Sequence, residues 1–416
     1  MSSFFFGPYQ DSIKNYQSAT LLMSFVASSI PIIFRWFVLM FSLTLASCQE
    51  PSFEEKLLAD GFSYSYGISV ADLTNNGRMD IVAADAYTPD HADGTSLKGA
   101  AIYLFQNMDD GFIESDVTRD VPGPKPFRNE HFSLLERNAL ADLDGDGLKD
   151  LAVIHLFQDR VMAFRNPGTD RVSEPWPASI LFEVNRPVEI KFSDVDGRKD
   201  ALVSDYRGGV WWARNNGTFE GWKAERIAKP DGWGDTRNLL VLSPSKVIAS
   251  DLKAGEVGLF TYDAGKWSTR IIASGLTMPW HGDVVDWNRD NKPDIVFGDA
   301  RGIHVLLNGE TWTLEFLTHA PTENKNARWF EVKCADMDGD GDIDLVASRS
   351  PQSDKFGGEV WVFENVWWGW KKHLLKSNWG LTNQVQIADL NNDGKPDFIV
   401  STEQPDNEVR YWLNRH

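Results

Sequence analysis

One nine-residue loop recurs along the chain and limits the folds that the chain can adopt. Its clearest copy is DLDGDGLKD, residues 142–150, and an apolar run follows it. Aspartates at loop positions one, three, five and nine can direct four carboxylates towards one point, while Gly147 permits the sharp turn that the backbone needs there. Oxygen ligands of this kind suit Ca²⁺. The predicted calcium ligands are Asp142, Asp144, Asp146 and Asp150.

Other copies of the loop keep the spacing but vary the ligands. DMDGDGDID is a second complete copy, and three further copies replace some carboxylates by Asn or Thr oxygens. Asn291 stands where a turn glycine belongs, which asparagine tolerates because it visits the left-handed region. The predicted ligands are Asp336, Asp338, Asp340 and Asp344; Asp389, Asn391, Asp393 and Asp397; Asp286, Asn288, Asp290 and Asp294; and Asp72, Thr74, Asn76 and Asp80. The last set has only two carboxylates, so we expect weaker binding there.

Two repeats lack a usable loop. DVDGRKD, residues 194–200, is two residues too short to wrap a cation in the same way, and LLVLSPSKVIAS around Leu242 has no carboxylate. A single loop of Asp, Asn and Gly can also be an ordinary tight turn without metal. Repetition with one fixed ligand spacing favours calcium. The loop is not an EF-hand, because Val153 occupies the twelfth position and a β-type run follows instead of a helix.

The apolar runs that follow the loops recur about every fifty residues and define seven repeats. They begin at Ile81, Leu151, Ala201, Val247, Ile295, Leu345 and Phe398. Each repeat has an alternating run before the loop, one after it, a third such as EVWVFEN, and a fourth that Trp often opens. Six of the seven third runs end in Asn, a turn residue. Four short antiparallel strands per repeat are typical of a propeller blade.

The two ends of the chain supply one blade together. The last repeat stops after its third run, EVRYWLNRH, whereas FEEKLL, Phe53–Leu58, reads as a fourth strand before the first loop. Their pairing would leave no open edge. We therefore predict an all-β fold: a seven-bladed β-propeller of four-stranded antiparallel blades, closed by the N-terminal strand joining the last blade. Recurring Trp residues are expected to pack between the sheets rather than to stack on a ligand.

The first 47 residues have the character of a leader. The chain is almost wholly apolar from Ala19 to Ser47 and then reads LASC up to Cys48. This resembles the bacterial lipobox, whose cysteine is lipidated, and Gln49 in the next position implies the outer membrane. An uncleaved membrane anchor is the alternative, since 29 residues can span a bilayer. We predict a leader at 1–47, a propeller at 48–416, and an exported, outer-membrane or periplasmic lipoprotein; display at the cell surface stays open.

The loops and the repeat together resemble the FG-GAP or VCBS repeat proteins, whose propellers also form the head of integrin α subunits. The likeness covers residues 53–416 and implies a propeller whose cofactor is Ca²⁺. Members of this family include adhesins, sugar-binding proteins, some polysaccharide lyases and a sugar dehydratase. The resemblance therefore implies no single activity.

Polar residues converge on the face opposite the calcium loops, where the connections from second to third strands and between blades must lie. The net charge of −19 argues against nucleic acid as the partner of this face. The candidates for ligand binding are Arg186, Arg207, Arg237, Trp280, Arg301, Arg328 and Trp329. If the protein is an enzyme, the candidates for catalysis are His131, His155, Tyr206, His281 and Arg137. The insertions at 87–99 and 122–137 are expected to enlarge this face.

Two functions fit this face, and the sequence leaves open whether the protein is an enzyme. In the first, it recognises a glycan or a surface protein outside the cell membrane, calcium stabilises the opposite side, and only the N-terminal lipid meets the membrane. In the second, the protein is a polysaccharide lyase or sugar dehydratase, in which arginines neutralise a carboxylate and a His or Tyr abstracts a proton. No motif for a nucleophile elbow, a phosphate loop or a zinc site is present in the sequence.

Overall fold

The computed structural model describes residues 52–62, 64–85, 101–118, 135–319, 327–351 and 357–416, apart from the side chains of Glu136 and Phe157. The leader, Cys48, His131 and both insertions lie wholly or largely outside these residues. The described chain folds into seven four-stranded antiparallel sheets, which confirms the predicted all-β propeller.

The strands follow one another through the blades in sequence order. Strand β1 (Phe53–Ala59) comes first. Blade 1 contains β2 (Ser65–Ala71), β3 (Asp80–Asp85), β4 (Ala101–Met108) and β5 (Gly111–Asp116). Blade 2 contains β6 (Leu135–Ala141), β7 (Asp150–His155), β8 (Arg160–Phe164) and β9 (Ala178–Glu183). Blade 3 contains β10 (Pro187–Asp194), β11 (Lys199–Asp205), β12 (Val210–Arg214) and β13 (Lys223–Ala228).

The remaining blades repeat this order. Blade 4 contains β14 (Thr236–Ser243), β15 (Lys246–Asp251), β16 (Glu256–Asp263) and β17 (Lys266–Ala273). Blade 5 contains β18 (Gly282–Val285), β19 (Asp294–Gly298), β20 (Ile303–Asn308) and β21 (Trp312–Thr318). Blade 6 contains β22 (Ala327–Ala335), β23 (Asp344–Pro351), β24 (Gly358–Val366) and β25 (Gly369–Trp379). Blade 7 contains β26 (Thr382–Ala388), β27 (Asp397–Thr402) and β28 (Val409–Asn414). Two short 3₁₀ turns, Leu156–Gln158 and Thr169–Arg171, lie in blade 2.

Strand β1 is the fourth strand of blade 7. It pairs antiparallel with β28, from Phe53 opposite Asn414 to Ala59 opposite Val409. The first strands of successive blades also contact one another around the whole ring, including β26 with β2. Blade 7 therefore has no unpaired β28 edge, and the first strands surround the axis of the propeller.

Packing between blades explains the apolar second strands. Strands such as β3 and β7 are buried along their whole length, because each sheet has a neighbouring sheet on both faces. Tryptophans fill these spaces: Trp212 meets Trp267 edge to face at 5.8 Å, and Trp412 stacks on Phe398 at 5.0 Å. The recurring Trp residues thus contribute to the cores between blades.

The Asn that ends most third strands links each loop to its own blade. In blade 2, one oxygen of Asp150 accepts the backbone N–H of Leu143 at 3.0 Å, and the other accepts that of Asn166 at 2.9 Å. In five other blades the last aspartate of the loop likewise accepts the backbone N–H of the Asn that ends the third strand: Asp80 from Asn107, Asp200 from Asn215, Asp294 from Asn308, Asp344 from Asn365, and Asp397 from Asn414.

Some of these asparagines also tie neighbouring blades together. The side-chain amide of Asn107 in blade 1 donates to the carbonyl of Leu390 in blade 7 at 2.7 Å, and that of Asn414 in blade 7 donates to Met337 in blade 6 at 2.7 Å. A turn preference alone would not require Asn in this position. The structure adds a physical reason, since the Asn side chain satisfies buried carbonyls across the joint between two blades.

Candidate functional site

The propeller has two faces. We call the side that carries the loops between the first and second strands the calcium-loop face. We call the other side, where the first strands begin, the opposite face. Antiparallel pairing within every blade separates them by the length of a strand.

The two complete loops gather their carboxylates as a calcium site requires. Carboxylate oxygens of Asp142, Asp144 and Asp146 lie within 4.8 Å of one another, and the same holds for the second loop, with Asp336, Asp338 and Asp340. The backbone N–H groups of Gly145 and Gly147 donate to Asp142 at 2.7 and 3.0 Å, which fixes the loop around its first carboxylate. Several hard oxygen ligands at this separation fit Ca²⁺.

The ninth carboxylate of each complete loop is buried behind the other three. Burial raises the pKa of Asp150 to about 7, and the nearby carboxylates of Asp144 and Asp146 add to this rise. Asp344 in the second loop has a pKa of about 7 for the same reasons. So many negative groups around one point repel one another unless a cation lies among them.

The weaker copies keep the loop backbone. In blade 1, Asp72 accepts the N–H groups of Asn76 and Gly77 at 3.1 and 2.9 Å, as the first aspartate does in the complete loops. In blade 5, Asn291 has φ of 63°, the left-handed conformation expected when Asn replaces the turn glycine. In the shortened loop of blade 3, Asp194 forms an ion pair with Lys199 at 3.1 Å.

A cluster of buried charges lies along the first strands of several blades. We call it the central cluster; it comprises Arg137, Glu189, Lys191, His281, Glu331 and Lys333. Arg137 Nη1 contacts Glu331 at 2.7 Å, and its Nε lies 3.6 Å from Glu189. Glu189 also forms an ion pair with Lys191 at 2.9 Å, and Glu331 forms one with Lys333 at 3.1 Å. Asp283 adds a third carboxylate close to Lys333, so the buried cations and carboxylates of this region balance in number.

The protonation states in this cluster follow from burial and charge. Burial alone would lower the pKa of Arg137, but the carboxylates of Glu331 and Glu189 raise it above its usual range. Burial lowers the pKa of His281 well below its usual value, and the neighbouring Arg137 and Lys191 lower it further. His281 is therefore neutral near pH 7, with Nδ1 at 3.3 Å from Glu189. Nη2 of Arg137 is buried and has no hydrogen-bond partner among the described residues.

Arginines and aromatic rings alternate above this cluster. We call this group the arginine layer; it comprises Arg186, Tyr206, Arg237, Trp280, Arg328 and Phe330. Arg237 lies over the Tyr206 ring at 3.8 Å and donates to the Tyr206 hydroxyl at 2.8 Å. Arg328 lies over the rings of Trp280 at 4.5 Å and Phe330 at 4.8 Å. The layer therefore places guanidinium groups over aromatic rings.

Electrostatics in the arginine layer favour an anion. Burial lowers the pKa of Arg328, and the positive charge of Arg237 lowers it further. Asp235 partly compensates Arg237 through a 2.7 Å contact. Arg186 lies over Tyr206 at 5.3 Å and has a left-handed φ of 52°. Such a conformation costs free energy and is often found at functional sites.

The structure brings together most of the predicted face. Arg137 and His281 lie in the central cluster, and Tyr206, Arg186, Arg237, Trp280 and Arg328 lie in the arginine layer. His155 is fully buried at the end of β7, and His131 lies outside the described residues. Arg207 and Arg301 are exposed, and Arg301 pairs with Asp299 of its own turn at 3.2 Å.

Trp329 is placed elsewhere. Its ring is buried in the core between blades 5 and 6, where it meets Phe363 edge to face at 5.4 Å. Neighbouring residues on a strand point to opposite sides, so Arg328 and Phe330 turn towards the arginine layer while Trp329 turns into the core. This side chain packs the fold rather than lining the opposite face.

Sequence reasoning missed the two glutamates and two lysines of the central cluster. A signal was present: VEIKF in β10 and FEVKC in β22 both place Glu and Lys two residues apart within an otherwise apolar strand. Side chains at this spacing share one face of a strand. Because the two segments belong to equivalent strands of different blades, their charged faces meet at the axis.

Comparison with known proteins agrees with the fold. Residues 286–347 match the model of the FG-GAP-like repeat. A catalytically inactive virginiamycin B lyase from Staphylococcus aureus, solved with quinupristin, is similar over 88% of this chain and 99% of its own, with a TM-score of 0.57 and 12% identity. A streptogramin B lyase has a TM-score of 0.56 at 11% identity and covers 88% and 98% of the two chains.

A third similar structure is YCF48 from Cyanidioschyzon merolae, with a TM-score of 0.51 and 11% identity over 86% of this chain and 98% of its own. No curated protein matches the chain by sequence. At such identities the similar structures share the fold. Among the described residues, no helix has the length and hydropathy needed to cross a membrane.

Proposed function

Because the chain is a seven-bladed β-propeller that carries an FG-GAP-like repeat, we propose that it is a calcium-stabilised recognition protein of the cell envelope whose opposite face binds an acidic carbohydrate. Uronate-containing polysaccharides have the matching chemistry, since they combine carboxylates with hydroxyl groups and apolar sugar faces. Calcium would bind at the complete loops and hold the other side of the ring rigid.

The observation that carries this proposal is a buried donor without an acceptor in the arginine layer. Nε of Arg328 is buried and lacks a hydrogen-bond partner among the described residues, while the rest of this side chain is partly exposed. A buried donor left unpaired costs free energy. A carboxylate or hydroxyl oxygen of a ligand would satisfy it, whereas a neutral apolar ligand would not.

Charge supports the same ligand. The net charge of the chain is −19, yet the guanidinium groups of Arg186, Arg237 and Arg328 lie together in the arginine layer, where Asp235 pairs with Arg237. Guanidinium groups recognise carboxylates in two-pronged geometry, which a neutral glycan does not offer. An acidic segment of a surface protein is the competing partner, which the binding test separates.

A lyase or dehydratase is the second candidate function. It is favoured by His281, which is neutral at pH 7 and can therefore accept a proton. Its low exposure of 4% disfavours direct contact with a polymer. Binding without chemistry is thus the better-supported function.

Retention of the full chain on immobilised polygalacturonate, compared with amylose, tests the proposal in buffer with calcium. We expect retention on the acidic polymer, and Arg328→Gln should weaken binding roughly tenfold to a hundredfold, as for loss of a hydrogen bond to a charged group. Arg171→Gln, which removes an exposed arginine between β8 and β9 at the calcium-loop face, is the matched control and should bind as the unmodified chain does.

The same assay separates the alternatives. Ultraviolet absorbance that grows with time, from newly formed unsaturated ends, would make the protein a lyase. Equal retention on amylose and polygalacturonate, or an Arg328→Gln variant that binds normally, would refute acidic recognition. Capture of a surface protein with no retention on either polymer would favour the protein partner instead.

A further inference from the structure

Two adjacent tryptophans project from blade 6. Trp367 and Trp368 form the turn between β24 and β25 and are 90% and 66% exposed. Their rings meet edge to face at 5.0 Å. Most other tryptophans of the described chain are buried between blades, so this pair is not part of the packing that holds the propeller together. Large exposed apolar groups of this kind commonly mark an interaction site.

The pair lies at the calcium-loop face. Asn365, two residues before Trp367, donates its backbone N–H to Asp344 of the blade 6 loop at 2.7 Å. Trp370, just beyond the turn, stacks on Trp287 of the blade 5 loop at 6.0 Å. The exposed rings therefore lie on the opposite side of the ring from the arginine layer.

Other exposed apolar side chains lie on the same face of the propeller. The large apolar residues that the described chain exposes most fall into two groups, of which one follows the outermost strands of the blades. The other group lies at the calcium-loop face and consists of Met79, Met108, Trp367 and Trp368. Met79 and Met108 belong to blade 1 and the tryptophans to blade 6, so the group flanks blade 7 on both sides.

Blade 7 is also where the N-terminal chain joins the fold. Phe53 opposes Asn414, whose N–H donates to Asp397 of the blade 7 loop at 2.7 Å, and Ser52 accepts from the N–H of Arg415 at 2.7 Å. The described chain thus begins at the calcium-loop face. Cys48 precedes Ser52 by four residues, which span at most about 14 Å when fully extended.

We propose that Trp367 and Trp368 rest in the interfacial layer of the bilayer that carries the N-terminal anchor, so that the calcium-loop face meets the membrane and the opposite face points away from it. The proposal rests on membrane attachment of the leader. It holds for either form of attachment, because both a lipid on Cys48 and an uncleaved span ending at Ser47 keep Ser52 close to the bilayer. Tryptophan favours this layer, where its apolar ring and its N–H group are both satisfied.

The orientation would have a functional consequence. A propeller held with its calcium-loop face on the bilayer offers the arginine layer and the central cluster to ligands beyond the membrane. Calcium at the loops would also reduce repulsion between the acidic face and lipid phosphates. In this orientation the proposed ligand site lies on the side of the propeller that points away from the bilayer.

Quenching of tryptophan fluorescence by brominated lipid tests the proposal. The full chain is reconstituted into phosphatidylcholine vesicles with and without bromine on the acyl chains, in calcium. We expect bromine to quench part of the emission. Trp36 of the leader is expected to contribute part of this quenching. The double variant Trp367→Phe/Trp368→Phe should lose most of the remaining quenched intensity. Phenylalanine removes the two indoles but keeps the turn apolar.

Trp211→Phe is the matched control, because it removes one indole of blade 3 that bonds to Asp205 near the opposite face. Its quenched intensity should equal that of the unmodified chain. Equal quenching in the double variant and the unmodified chain would overturn the proposal, as would a chain that does not float with the vesicles. Retention on polygalacturonate separates this result from the proposed function: the double variant should still bind, and Arg328→Gln should still be quenched.

Discussion

The two faces of this propeller are built in different ways. The calcium-loop face repeats one solution: in six of seven blades a buried aspartate accepts the N–H of an asparagine at the end of the third strand, and in five of these six it also accepts an N–H of its own loop. On the opposite face, Asp205, Asp251 and Asp299 also repeat one turn in three blades. The charged residues of the central cluster, in contrast, come from the first strands of only some blades. The repeated residues therefore stabilise the ring, whereas residues present in only some blades form the candidate site.

Blade 4 shows that the repeated part can be lost locally. Its first and second strands meet through a short turn after Ser243, with no carboxylates, yet the four strands pair as in the other blades. Neighbouring sheets still cover both faces of the blade. No such substitute exists for Arg137, which is the guanidinium between Glu189 and Glu331. We therefore expect damage to the central cluster to cost more than damage to one loop.

The largest effect should follow from Arg137→Gln. This change leaves two buried carboxylates with only their lysine partners, and breaking a buried ion pair from one side typically costs about 3–5 kcal/mol. The free energy of unfolding, measured from denaturant midpoints, should fall by that amount. The exposed pair of Arg171 and Glu174, at 3.1 Å, provides the control, since Arg171→Gln should cost less than about 1 kcal/mol. Similar losses in both variants would remove the distinction between the faces.

Calcium should have the next largest effect. A cation at one hundred times its dissociation constant adds about 2.7 kcal/mol of stability per site. Asp146→Asn and Asp340→Asn remove a ligand charge but keep the oxygen that accepts the N–H of Leu148 or Asp342. In these variants, the gain in melting temperature on adding calcium should shrink, while the temperature in chelator should stay close to that of the unmodified chain.

The shortened loop provides a matched comparison for calcium. Asp194→Asn should leave the calcium-dependent gain unchanged, because this loop is two residues too short to gather carboxylates as the complete loops do. If calcium raises no melting temperature even in the unmodified chain, the loops are turns without a metal role. The difference between the faces would then be one of repetition alone.

The blades could be predicted from the sequence because the apolar runs recur seven times, with the loop or the asparagine repeated in most of them. Loop spacing, the third-strand asparagines and the apolar alternation all gave the same blade boundaries, so errors in one repeat were corrected by the others. The structure confirmed the propeller and added the reason for the asparagine: Asn107, for example, joins its own loop to blade 7.

The opposite face was readable only in part. The sequence placed Arg137, Arg237 and His281 on one face. Their contacts depend on which blades lie across the axis from one another, and the spacing of residues along the chain does not give the distances between blades. Trp329 was misjudged for a local reason, since a one-residue change on a strand turns a side chain from the face into the core. Glu331 and Glu189 were missed because a charged residue in an otherwise apolar strand can be assigned to a buried cluster only after the strand has been placed next to the propeller axis.

The smallest effect should come from the pH dependence of His281. The pKa of this group is lowered in the folded protein, so below its unfolded value of about 6.5 the unfolded chain binds more protons and stability falls with falling pH. His281→Gln cannot take up that proton. The stability difference between the two chains should therefore change by roughly 1 kcal/mol between pH 7 and pH 5.5, in favour of the variant at the lower pH. Urea midpoints at a series of pH values measure it. Parallel curves would mean that His281 takes up its proton in the folded protein as readily as in the unfolded chain, and burial would then not lower its pKa.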